Sequence, residues 1–396
     1  MPVFRLLIAG LLLYGCGTQK LLAQGADPKV PPKKEEKKDE WPSIIEGKTV
    51  DQWIAEMNAG LQRDPSARER ACFMIPQFGP KAGESDKLGP QIIQTMTVDP
   101  DFNVRIAALA LVPLFGFKTV QQTKTGMGVV ERNFLNSPSS VHLRYEGVST
   151  LAAMGPHPEA RKLMTQLIAR TKDLQSWQVR RNAVFALGQV GQGWQPSEED
   201  LKKGAAPIEV DARAVQAILY SLRDDGCEPV RRQAINSLLT IGPVPVIYLK
   251  DSRDILGRVS QQDRSMAIRI WADVFLIKYD PDGAKMAPTR LLAISKNLAV
   301  ADDVELRVEA CSALAYLGED AKARLQDLIA VMSDAQEKPQ VIIAAIGAAT
   351  TMKSLKPTVL RGLEPLTKHS DENVKKAAEE AIKYLKEEKE KPVMKK

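Results

Sequence analysis

The sequence of 396 residues is 44% hydrophobic, 26% charged and only 5% aromatic, with a formal net charge of +6, three histidines and four cysteines. That length and apolar content can bury a large interior, which excludes wholesale disorder, while so few aromatics exclude a thick aromatic core. Cysteines without regular spacing exclude a disulfide framework, so stability has to come from packing.

In chain order, the first element reads as an export signal: Arg5 gives a basic start, Leu6 to Leu13 is apolar, and small residues follow. The run is too short to span a membrane permanently. Two processing outcomes are open. Leu13, Tyr14, Gly15 and Cys16 resemble the lipobox of bacterial lipoproteins, with Cys16 the acylated new terminus; Ala23 and Gly25 offer an ordinary signal-peptidase site within a 1–25 leader. Residues 26–46, rich in proline, lysine and acids, read as a disordered tether, and 387–396 as a disordered basic tail. The expected location is outside the cytoplasm, in the periplasm or cell envelope, soluble or lipid-anchored.

From residue 47 to 386 one block recurs about every 38 residues, which is the signature of a stacked helical array. Its marker is an arginine: Arg68, Arg105, Arg144, Arg180, Arg231, Arg269 and Arg307, then Ile342 and Lys375. Four residues before it stand Asp64, Asp101, Ser140, Ser176, Ser265, Asp303 and Asp371, whose side-chain oxygens suit a helix N-cap. Cys227 and Lys338 break that rule. Three residues after the marker every unit places a small residue (Ala71, Ala108, Gly147, Ala183, Ala234, Ala272, Ala310, Ala345, Ala378), and apolar residues follow seven and ten after it. These offsets share one helical face, and an always-small position is where another helix comes close. Gly79, Gly116, Gly155, Gly191, Gly242 and Gly318 stop the helices. Each is preceded by a second amphipathic segment, as in Val215, Ile218, Leu219 and Leu222, so the unit is a helical hairpin and about nine of them fill the stretch. Between Arg180 and Arg231 the spacing lengthens. The extra residues, Gln192 to Glu209, form a loop whose Trp194 either anchors a partner or covers a join between units.

Asp-Pro-x-x-x-Arg followed by alanine and a terminal Gly-Pro in a two-helix unit resembles the HEAT repeat, of the armadillo-like kind. Asp64, Pro65 and Arg68 with Gly79 and Pro80 show it best, and Gly47 to Trp53 is similar to the lead-in of exported bacterial HEAT-repeat proteins of unassigned role. The resemblance implies an all-α, right-handed α-solenoid. It also implies a ladder of capping aspartate and arginine between adjacent units, at Asp64/Arg68, Asp101/Arg105 and Asp303/Arg307. Lys338 and Ile342 depart from that pattern.

The residues offer little chemistry. His142, His157 and His369 have no ligand spacing, and no zinc, phosphate-loop or nucleophile-elbow motif occurs. Gly188, Gly191 and Gly193 end a helix instead of opening one, and Asp280 to Gly283 is a turn that lacks the remaining acids of a calcium loop. The expectation is a non-catalytic, monomeric scaffold with no cofactor and no metal, binding a protein partner of unspecified identity through the inner face of its second helices. Trp194, Arg181 and Arg232 are the candidate contacts. Two alternatives stand beside it: an enzyme of the HEAT-like lyase or glycosylase type, and a nucleic-acid-binding solenoid using the Arg180/Arg181 and Arg231/Arg232 doublets as a basic stripe, a reading that export disfavours.

Overall fold

The computed structural model describes residues 41–57, 64–195, 201, 204, 206–245, 249–299 and 302–387. The leader with Cys16, residues 26–40 and the tail beyond 387 lie outside the described residues. Among those described there is no strand, only two isolated bridges, Ile45 with Lys48 and Trp194 with Ile208. Contacts divide the chain into two units, Met1–Leu167 and Ile168–Lys396.

Unit 1 contains α1 (Val50–Met57), α2 (Pro65–Met74), α3 (Leu88–Val98), α4 (Phe102–Leu109), α5 (Val120–Val129) and α6 (Val141–Met154). α1 packs on α2, α3 packs on α4, and a π-helical turn, Val130–Leu135, carries the contact of α5 with α6. α2, α4 and α6 also pack in succession, which is the stacking that the sequence period predicts. Of the stretch 26–46, residues 41–46 rest on this unit: Trp53 donates through Nε1 to the Ile45 carbonyl at 3.1 Å, and Arg70 Nη2 reaches both Glu46 oxygens at 2.7 and 2.6 Å.

α7 (Met164–Arg170) crosses the boundary between the units. Unit 2 continues with α8 (Trp177–Gly191), α9 (Ala212–Asp224), α10 (Glu228–Ile241), α11 (Leu249–Gln262), α12 (Met266–Tyr279), α13 (Gly283–Lys296), α14 (Val304–Leu317), α15 (Leu325–Ser333), α16 (Pro339–Thr350), α17 (Lys356–Leu363) and α18 (Glu372–Glu387). The even-numbered helices α8 to α18 pack each on the next, and the odd-numbered helices from α9 on pair with the helix that follows them.

Local chemistry explains where the second helices begin and end. Asp64 accepts from the Ser66 amide, Asp101 from Asn103, Ser140 from Leu143, Ser176 from Val179, Asp303 from Leu306 and Asp371 from Asn373, so free amides at each start are satisfied. Ser265 is the exception; it makes no side-chain cap bond. Gly79, Gly116, Gly155, Gly242 and Gly318 have φ between 56° and 84° and end their helices. Gly191 departs from that role: it stays helical, with α9 close enough that a Cβ there would lie 2.4 Å from the Ala214 Cβ.

The always-small position is the crossing point. Ala71, Ala108, Ala183, Ala234, Ala272, Ala310, Ala345 and Ala378 are each 0% exposed. Where the residue is Gly147, a Cβ would stand 2.8 Å from Phe134 Cβ and 2.9 Å from the Leu135 amide nitrogen, so the backbones approach too closely for alanine. Cys72 and Cys311 pack in the same core as small hydrophobes; burial pushes both thiols up, Cys311 to about 12, which leaves them unreactive.

Candidate functional site

Three of the marker arginines build two-bond rungs, but not with the capping aspartates, while Arg144 and Arg269 donate to the backbone carbonyls of Ser137 and Asp263. Arg68 donates through Nε and Nη2 to Asp99 at 2.7 and 2.9 Å, Arg180 to Asp225 at 2.7 and 3.2 Å, and Arg231 to Asp263 at 2.8 and 3.0 Å. Each carboxylate sits two residues before the next unit's cap and also accepts the amide of that cap residue, at Asp101, Cys227 and Ser265. The expected ladder at Asp64/Arg68, Asp101/Arg105 and Asp303/Arg307 is thereby corrected. The caps spend their oxygens on their own helix starts, and a different carboxylate takes the bidentate fork, its Oδ1 shared between the arginine and the cap amide. Arg307 follows the same logic with Glu337, at 3.1 Å. Burial pushes the Asp263 carboxyl up, but Arg231, the Ser265 amide and Arg269 outweigh it and hold the group below the usual carboxylate range.

Beside these rungs lies a more open cluster in unit 2. Arg232, next to its rung arginine on α10, donates through Nη2 to Glu309 Oε1 on α14 at 2.6 Å. Trp271 on α12 donates through Nε1 to the same oxygen. The edge of the Trp271 ring meets Tyr316 at 5.8 Å, the Tyr316 and Tyr279 hydroxyls are 3.1 Å apart, and Lys278 Nζ lies 4.7 Å from the Tyr316 centroid. Burial and the Tyr279 hydroxyl push the Tyr316 phenol up, so it stays neutral. Packed helices stand about 8–10 Å apart, so α10 and α14 side chains meet across α12 only where the row closes in on itself. That side of unit 2 is its inner face.

The cluster combines half-buried aromatics with a charge pair, the composition that suits protein contacts. Trp271, Glu309 and Tyr316 were not singled out by the sequence, although each has a regular address: Trp271 and Glu309 stand two residues after a marker, Lys278 and Tyr316 nine after. Of the sequence-selected residues, Arg232 belongs to this cluster. Arg181 is exposed on α8 and makes no ion pair among the described residues. The stripe suggested by the arginine doublets is largely neutralised, since Arg180, Arg231 and Arg232 each hold a carboxylate. Trp194 is half-exposed at the root of the insertion, its amide and carbonyl paired with Ile208 at 2.8 Å. Cys16 lies outside the described residues.

No group of three potential metal ligands occurs among the described residues. His157 and His369 use Nδ1 to accept the amides of Glu159 and Asp371, a capping role. His142 stands 3.9 Å from Glu146, whose carboxyl burial pushes up. A small hollow lined by Val244, Leu256, Phe275 and Tyr279 is edged by the Arg253 and Asp280 ion pair. No described helix is long and apolar enough to cross a membrane.

No family model matches the sequence, and no curated protein does. Solved structures match in fold. Yeast importin-beta (Kap95p) is 14% identical, with a TM-score of 0.62 over 85% of this chain and 46% of that one. The Kap95:Nup1 complex gives 0.60 at 13% identity over 85% and 46%, and Kap95p with RanGDP gives 0.56 at 13% over 85% and 45%. The chain thus spans less than half the length of the structures it matches. With helical pairs stacked in sequence, small residues at each crossing and arginine rungs between them, this chain has the fold of a HEAT-repeat α-solenoid.

Proposed function

We propose that this chain is a non-catalytic scaffold that binds a protein partner on the inner face of unit 2, exported by its N-terminal apolar segment and held at the cell envelope by acylation of Cys16. The observation that carries the binding reading is the cluster in which half-buried Trp271 and Tyr316 stand beside the exposed Arg232, paired with Glu309; tryptophan, tyrosine and arginine are the types enriched at the energetic centres of protein interfaces. The fold supports it, since Kap95p is known in complexes with Nup1 and with RanGDP. A nucleic-acid reading needs free cations along that face, and three of the four doublet guanidiniums are already paired. Trp194 is a secondary contact in this proposal.

A photoreactive residue replacing Arg232, Trp194 or, as a control, the exposed Tyr220 on α9 tests it in cells. The reading expects one protein adduct from the Arg232 and Trp194 sites and none from Tyr220. Equal adducts from Tyr220, or none from Arg232, would remove the inner face as the contact surface. A palmitate analogue that labels the wild type and spares Cys16→Ser supports the anchor; no label with normal export replaces it with plain secretion.

A further inference from the structure

The inner-face cluster of unit 2 is built from two rows. Trp271 and Lys278 stand seven residues apart on α12, and Glu309 and Tyr316 seven apart on α14, so each pair spans two helical turns, about 10.5 Å. The rows meet at three points. Trp271 Nε1 donates to Glu309 Oε1, the Trp271 ring edge faces Tyr316, and Lys278 Nζ lies 4.7 Å from the Tyr316 ring centroid and 3.2 Å from the Tyr316 carbonyl oxygen, to which it donates. The result is an aromatic floor with a cation at each end, Arg232 beside Glu309 and Lys278 beside Tyr316.

Charge on this patch does not balance. Arg232 spends one bond, from Nη2 to Glu309 Oε1 at 2.6 Å, and makes no other polar contact among the described residues, so the rest of its donor fork is open. Lys278 is exposed and in no ion pair among the described residues. The carboxylate of the cluster, Glu309, already takes two donors on one oxygen. Arg181 repeats the Arg232 address on α8, the helix that packs on α10, and is also exposed without an ion pair among the described residues. A basic partner meets a surplus of like charge there, whereas an acidic one finds donors at both ends of the floor.

Spacing then specifies the conformation of the partner. An extended chain covers about 10 Å in three residues and puts the first and last side chains on opposite faces. A helix covers the same distance in seven and keeps both on one face, with the residues three and four along between them.

We infer that the inner face of unit 2 takes an acidic amphipathic helix whose carboxylates, two turns apart, meet Arg232 and Lys278 while the apolar residues between them lie on Trp271 and Tyr316. This rests on the inner-face reading above and names the chemistry of the segment bound there. The aromatic floor supplies apolar area, and the two cations set sign and register.

The test presents the full chain with a displayed library of helical peptides, in which two positions seven apart vary among Glu, Gln and Lys and the two between them among Leu, Trp and Ser. Selection on the wild type should enrich Glu at both outer positions and Leu or Trp between. Lys278→Glu should turn the preference at one outer position to Lys and leave the other at Glu. Arg232→Gln should abolish the preference at that other position, and Arg232→Gln with Lys278→Gln should weaken a selected helix about tenfold, read by fluorescence anisotropy. Both side chains are exposed, so the variants should melt with the wild type, which separates a lost preference from lost folding. Enrichment of Gln, of Lys or of nothing on the wild type overturns the inference, as does an acidic preference that neither substitution moves. A labelled oligothymidylate that binds the wild type and is lost with the same two substitutions overturns it in favour of a nucleic-acid surface. A cellular adduct through the Arg232 site together with selection of neutral or basic helices sinks only the acidic class. Acidic selection without an adduct sinks only the contact in cells.

Discussion

In unit 1, Arg68 and Asp99 meet with side chains 3% and 5% exposed; in unit 2, Arg232 and Glu309 meet with 45% and 21% exposed. Both are guanidinium–carboxylate pairs at nearly the same distance, the first a two-bond fork and the second a single bond, but the consequences differ. A buried fork cannot lose one partner without stranding the other in a poor solvent, so it ties adjacent hairpins together. An open pair on the inner face is solvated, contributes little to folding, and leaves its aromatic neighbours available to a partner. Burial, and not chemistry, thus sorts the charge pairs of this array into rungs and surface.

The largest effect should come from stranding a rung. Asp99→Ala should cost about 3–5 kcal/mol, read from denaturant midpoints, and a loss below about 1 kcal/mol would mean that the Arg68 pocket is wet. Next comes the crossing point, where Ala183→Leu should overpack α8 and cost about 1–3 kcal/mol; an unchanged melting curve would place Ala183 at the surface.

The contrast sharpens with pH. Asp263 titrates lower in the folded chain than in the unfolded one. Its stabilisation is complete above the unfolded carboxylate value, near pH 4, and is lost as the pH falls through the lowered folded value. The stability gap between wild type and Asp263→Asn, measured by chemical unfolding, should shrink across that window; a gap independent of pH would deny the rung. The smallest effect should be that of Arg232→Ala, about 0.2–1 kcal/mol in stability, together with loss of the partner adduct. A large drop in melting temperature would reclassify the inner-face pair as a rung.

How far the sequence foretells this follows from what repeats. Caps, stops and the small crossing residue return in step because every hairpin has the same local problem to solve, and the structure places them as the period predicts except at Ser265, which makes no cap bond, and Gly191, which stays helical. The rung carboxylate was missed although Asp99, Asp225 and Asp263 share one offset from the next unit's start. At Arg68 two acids compete, Asp64 and Asp99, and only geometry shows that the Asp64 side chain is already accepting from the Ser66 amide. The inner-face cluster was less legible for the opposite reason. Trp271, Glu309 and Tyr316 occupy regular addresses, but their identities change from unit to unit, and a search for recurrence averages such positions away. Trp194 was legible as a loop residue; its pairing with Ile208 depends on a contact across the insertion that no period reports.

A double-mutant cycle on Arg68 and Asp99 tests most directly the claim that successive hairpins are tied by an arginine to a carboxylate just ahead of the next cap. Each alanine substitution alone should be costly, and the pair together should cost less than their sum by about 2 kcal/mol. Effects that add to within about 0.5 kcal/mol would show that the two side chains do not depend on each other, and the rung would not exist.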